Sequence, residues 1–264
     1  MTALYPGRVP GPALELLGEV RWRGSRVPGE RVAALLIALA RHPTGLSDAR
    51  LVEEVWPDAV PANPVKALHV LVSRVRAQCG PDVVVRGDSG YRLGLAAEDV
   101  DLLLLHRLRV RTESALGSGD PAAVELSALA LDLAATAVDA ASGPRADLVA
   151  DVQALRPVLV RCRARALVAA GRPAEALPFL EEAHERAPGD AALMAALLRA
   201  EAAVSGAATA LERYEAYRSG LADRLGVDPD PDLQRLHQEL LAADDPVRTG
   251  CVSTATSCSV ARRT

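Results

Sequence analysis

The sequence predicts a mainly α protein in two parts: three helices framed by short β structure, then a longer region built from helices alone. Three observations predict this. Apolar residues recur at helical spacing in segment after segment, each closed by Gly or Pro. The runs that read as β are confined to the first part: an alternating stretch from Leu14 to Trp22 and a hairpin pattern from Val83 to Leu93. Charge also divides the chain. Residues 1–97 carry 12 basic and 9 acidic side chains, whereas residues 98–243 carry 15 and 23, within an overall net charge of −4. The divide sets expected domains at 1–97 and 98–243, with 244–264 as a Ser/Thr-rich disordered tail.

In the first part, Leu14 to Trp22 reads as a strand of a small N-terminal sheet. Glu30 to Arg41 is apolar and helix-forming, and Pro43-Thr44-Gly45 ends it. Ser47 is the N-cap of a second helix, with Arg50 where a full capping box has Glu, and that helix stops at Pro57. Asn63 caps a third helix and Pro64 occupies its first turn. Along it, Leu68, Val72, Val75 and Cys79 fall at i, i+4, i+7 and i+11, one face of a 3.6-residue period. Lys66, Val70, Ser73, Arg74 and Ala77 lie opposite, with His69 and Arg76 on a flank. Then Val83 to Val85 reads as a strand, Gly87-Asp88-Ser89-Gly90 as a turn and Tyr91-Arg92-Leu93 as the return strand.

The third helix is the most informative element. From Pro64 to Pro81 it holds Lys and Arg and no acid. A cationic, acid-free helix face suits phosphate attraction combined with contact to base edges in a major groove. The order of strand, three helices and hairpin resembles the winged helix-turn-helix domain of the OmpR type, a two-component output domain. Leu51-Val52-Glu53-Glu54-Val55-Trp56, Val70-Leu71-Val72-Ser73-Arg74-Val75-Arg76 and Gly90-Tyr91-Arg92-Leu93 carry the resemblance. It implies that the third helix enters the major groove of double-stranded DNA. Arg74 then reaches base edges or a phosphate, Arg76 holds the backbone, and Lys66 meets phosphate near the helix start beside Asn63. Ser73 and His69 hydrogen-bond bases or backbone, Val70 faces the groove, and Arg92 and Arg86 lie near the minor groove from the wing. Leu71 departs from the family pattern, being either a thymine-methyl contact or core.

In the second part, helices are expected over 102–116, 122–140, 148–170 with a bend at Pro157, 174–186, 191–204, 207–225 and 232–242. Ala176-Leu177 matches Ala210-Leu211 at a spacing of 34, with Leu180 against Tyr214 and Ala183 against Tyr217. That period favours tetratricopeptide-like helix pairs over a plain bundle. From Ala210 to Leu241 the chain resembles the bacterial transcriptional activator domain: a Tyr-bearing helix, Leu225-Gly226-Val227, Asp228-Pro229-Asp230-Pro231 and a short final helix. A winged helix followed by this domain is the arrangement of the Streptomyces antibiotic regulatory proteins. The resemblance implies an activator of a biosynthetic cluster that binds promoter direct repeats as two protomers and recruits RNA polymerase, in the cytoplasm and with no cofactor.

Other chemistries find little support. Lys66 is the sole lysine and stands in no phosphate-binding loop. The five histidines form no H-E-x-x-H pair, and the cysteines (Cys79, Cys162, Cys251, Cys258) show no metal spacing. No apolar run reaches the roughly 18 to 20 residues of a membrane span. Gly87-Asp88-Ser89-Gly90 imitates a protease nucleophile loop but is ordinary turn chemistry. Arg161, Arg163 and Arg165 read as a solvated face or as a site for an acidic partner. No enzyme is expected. The alternative is a protein-interaction scaffold that works through the helical part.

Overall fold

The computed structural model of the chain describes residues 11–137 and 144–244. The chain forms two compact units that divide between Gly171 and Arg172. The change of charge near Glu98 therefore falls inside the first unit.

That unit opens with a three-stranded antiparallel sheet, β1 (Leu14–Glu15), β2 (Arg21–Trp22) and β3 (Ser25–Arg26), in which Leu14 pairs with Trp22 and Trp22 with Ser25. The single strand expected from Leu14 to Trp22 is thus two strands and a turn. Leu16 and Leu17 are neighbours and both fully buried, which a strand with alternating faces cannot achieve. Their N–H groups leave the ladder and donate instead to one carboxylate oxygen of Asp101, at 2.7 and 2.9 Å. The other oxygen accepts from the N–H of Leu102 at 2.7 Å, and Leu14 bridges Val100 in parallel. Burial outweighs these three donors and pushes the Asp101 carboxyl up to about 6.

Three helices follow: α1 (Glu30–Arg41), α2 (Asp48–Val55) and α3 (Pro64–Cys79). Seven consecutive residues of α1, Ala34 to Ala40, are buried, so α1 is apolar on every side and forms the centre of the unit. The wing is β4 (Val84–Gly87) paired with β5 (Gly90–Leu93), with Val84 opposite Leu93 and Arg86 opposite Tyr91. After a 3-10 turn at Ala97–Asp99 come α4 (Asp101–Ser118), α5 (Ala122–Ala135) and α6 (Pro144–Ala169). These pack on one another, and α6 also packs on α1, where Arg41 and Asp151 form an ion pair of 2.9 Å. Helix α5 ends at Ala135 rather than Ala140; of the expected break at 141–144, residues 141–143 lie outside the described residues and Pro144 already begins α6. Helix α6 begins four residues earlier than expected and runs through Pro157 as one helix, without that residue's N–H bond.

The second unit holds α7 (Pro173–Arg186), α8 (Ala191–Ser205), α9 (Ala207–Leu225) and α10 (Pro231–Asp244). Of the residues related by 34 positions, Ala176 and Ala210 are both buried, as are Leu180 and Tyr214, whereas Ala183 is buried and Tyr217 only partly so. Met194 and Leu198 of α8, Tyr214 of α9 and Leu233, Leu236 and Leu240 of α10 form the core. Tyr214 stacks on His237 with ring centres 4.3 Å apart. Arg213 of α9 holds Glu201 of α8 through two bonds of 2.6 and 2.8 Å and reaches Glu181 of α7 at 3.1 Å. Beyond Asp244, the expected tail lies outside the described residues.

Candidate nucleic-acid interface

Helix α3 begins where its sequence signals place it. The Asn63 side-chain oxygen accepts from the Lys66 backbone N–H at 3.1 Å, and Pro64 supplies a fixed φ where no intrahelical donor is needed. Gly80 closes the helix with φ +107°. The apolar stripe then anchors it: Leu68 and Val75 are fully buried, and Val72 and Cys79 nearly so. Leu71 is buried as well, only 5% exposed, which settles it as core. Burial pushes the Cys79 thiol up, so no thiolate arises on this helix.

On the opposite side Lys66, His69, Ser73, Arg74 and Ala77 are exposed, and Val70 is 53% exposed. Neither Lys66 nor Arg74 has an ion-pair partner among the described residues. A shallow groove beside them is lined by Arg31, Trp56, Asn63, Lys66, Val70 and Arg74. Arg31, which the sequence reading did not single out, donates to the carbonyl of Val55 at 2.5 Å and so ties α1 to the end of α2. Its partner lies 24 residues away, beyond the reach of local pattern.

The wing is fixed to this helix and to the turn before α2. The N–H and C=O of Tyr91 both bond Leu46, each at 2.9 Å. This contact requires glycine next door: Gly90 has φ +114°, and a Cβ there would lie 2.0 Å from the Leu46 carbonyl oxygen. Arg76 is half-buried, and its Nε donates to the Val84 carbonyl at 2.9 Å, so it clamps α3 to β4. Arg92 is exposed and bonds the Leu93 carbonyl at 3.1 Å. Arg86 lies over the Tyr91 ring at 4.8 Å and pairs with Asp48 at 3.2 Å. Asp48, at the start of α2, is also 3.8 Å from His69.

The structure thus brings Asn63, Lys66, His69, Val70, Ser73 and Arg74 onto one side of α3, with Arg86 and Arg92 on the adjoining wing. Arg76 stands apart, engaged with the wing backbone. Such a surface can attract phosphates and present donors to base edges, and its groups have no obvious way to make or break covalent bonds. Among the described residues no group of His, Cys, Asp and Glu is arranged to hold a metal ion. No helix among them is long and apolar enough to cross a membrane.

Comparison with known proteins gives this geometry a context. Residues 99–241, more than half of the chain, match the family described as bacterial transcriptional activator domain. The regulatory protein AfsR of Streptomyces coelicolor is 32% identical over 94% of the chain, which spans 26% of that protein. The transcriptional regulatory protein EmbR of Mycobacterium tuberculosis is 29% identical over 82% of the chain and 58% of its own length. The solved structure of Mycobacterium tuberculosis EmbR in complex with a low affinity phosphopeptide superposes with a TM-score of 0.63 at 24% identity. It covers 87% of this chain and 64% of that one, and shares the fold. The chain spans about a quarter of AfsR and little more than half of EmbR. By its activator domain and these relatives, the chain belongs to the Streptomyces antibiotic regulatory protein family.

Proposed function

We propose that the chain is a sequence-specific DNA-binding transcriptional regulator, an activator of a biosynthetic gene cluster. In this reading residues 1–97 form the DNA-binding domain and residues 98–243 the activator domain. Two protomers occupy promoter direct repeats in the cytoplasm, and the helical domain recruits RNA polymerase. The observation that carries it is the exposed, acid-free side of α3, with Lys66 and Arg74 unpaired and Ser73 and His69 beside them. A helix that buries its apolar stripe and leaves cations unneutralised on the other side favours a polyanion. The relatives, named as regulators, support the same reading.

The test is selection of the purified protein on a pool of random duplexes at two salt concentrations. The expected result is enrichment of a repeated short motif. Arg74→Ala should reduce binding to that motif by about 1 to 3 kcal/mol and relax the preference at one position. Retention without a motif would leave only backbone attraction. No retention at low salt would overturn the reading and favour the scaffold function of the helical part.

A further inference from the structure

The ion pairs around Asp48 are placed where stability has little use for them. Asp48 opens α2, yet it faces the His69 ring on α3 and the Arg86 guanidinium on the wing, two of the groups that flank the unpaired side of α3. Its contacts are long. Arg86 lies 3.2 Å from one carboxylate oxygen without an aligned hydrogen bond, and bonds the other at 3.4 and 3.5 Å. His69 stands at 3.8 Å. His69 and Arg86 are both more than half exposed, and pairs of this kind contribute little to folding. What the carboxylate does change is the field at the surface. It sits between α3 and the wing, repels phosphate, and occupies the guanidinium that would otherwise seek it.

We infer that Asp48 is a specificity-determining positioning residue: it holds Arg86 in a loose ion pair, beside the His69 ring, that a DNA phosphate must displace. The inference rests on the DNA-binding reading above and deepens it. On random DNA the exchange of one anion for another gains little, so non-specific affinity stays low. On the cognate site the contacts of Lys66, Ser73 and Arg74 with bases and backbone hold a phosphate against Arg86, and the exchange then completes the interface. Non-specific duplex is the main competitor of any such protein, so an acid that weakens backbone attraction raises discrimination even while it lowers affinity.

The test uses the full chain with Asp48→Asn, which keeps the size of the side chain, leaves the Ser47 cap in place and removes the charge. Binding is measured on a random-sequence duplex and on the selected motif, across a series of salt concentrations. The expected result is roughly three- to tenfold tighter binding to random duplex, with a salt slope steeper by about 1, as one further phosphate contact forms. The preference for the motif should fall by a similar factor. Asp48→Glu should restore wild-type values, and adding Arg86→Gln to Asp48→Asn should cancel most of the gain. A purely structural role would instead weaken binding to both duplexes and leave the slope unchanged. Unchanged or weaker binding by Asp48→Asn, with the wild type still selecting its motif, would overturn the inference and leave the DNA-binding reading intact. Failure of the wild type to bind any duplex at low salt would overturn both.

Discussion

Helices α3 and α9 use the same cationic side chain under opposite conditions. In α3, Lys66 and Arg74 stand on an exposed face with no acid between residues 64 and 81. In α9, Arg213 meets Glu201 and Glu181, and Arg218 meets Glu215 at 2.7 Å. The apolar sides of the two helices are alike, since each buries one stripe against its neighbours. The difference lies in what surrounds the cations. Acids supplied by the same or a neighbouring helix turn arginine into an internal fastener. Acids withheld leave it solvated and free to meet an external anion. Asp48 stands between the two cases, an acid beside the exposed side of α3 with contacts too long to hold Arg86 firmly.

The comparison can be broken or sharpened by substitution. The largest effect is expected from Leu71→Ala, because the residue belongs to the buried side of α3. The cavity should reduce stability in urea by about 2 to 4 kcal/mol, whereas a side chain that only touched a thymine methyl would leave stability unchanged. Next comes Arg213→Ala, which strands Glu201, a carboxylate only 9% exposed. Unfolding should be easier by about 2 to 3 kcal/mol, the lower part of the range for a broken buried pair because Arg213 is one-third exposed. The replacement of Arg74 by alanine should leave the melting temperature unchanged. The smallest of the stability losses is the pH dependence of Asp101. Its folded value of about 6 lies above the ordinary 3.8, so the native state holds the proton more tightly. Its contribution is fully present below pH 3.8 and is lost as pH rises through about 6. The stability of the wild type relative to Asp101→Asn should therefore decline by about 2 kcal/mol between pH 4 and pH 7, and a difference that grows with pH would contradict the burial argument.

The helices were legible because their signals are local. Asn63 and Pro64 mark the start of α3, and Gly, Pro and Asp punctuate α4 through α10 within a few residues of the observed ends. The spacing of 34 marked equivalent buried positions in α7 and α9. The N-terminal sheet was not legible: its strands are two residues long, shorter than any alternation can reveal, and the Leu16 and Leu17 amides leave the ladder for a carboxylate 84 and 85 residues away. Separation in sequence also hid the pairing of Asp48 with Arg86, 38 residues on. The exposed side of α3 was readable from period alone. That Arg76 turns inward to the Val84 carbonyl was not, since its position in the helix leaves both directions open. Sequence order identifies a face, and only the fold identifies which of its side chains already have partners.

The most direct test of the contrast is to compare the salt dependence of DNA binding for Arg74→Ala and Arg218→Ala, two exposed arginines on different helices. The account predicts that Arg74→Ala flattens the slope by about 1 and relaxes the motif preference at one position, while Arg218→Ala, already paired with Glu215, matches the wild type. Equal losses from both, or a loss from Arg218→Ala alone, would contradict the claim that the acid-free side of α3 is the surface that DNA meets.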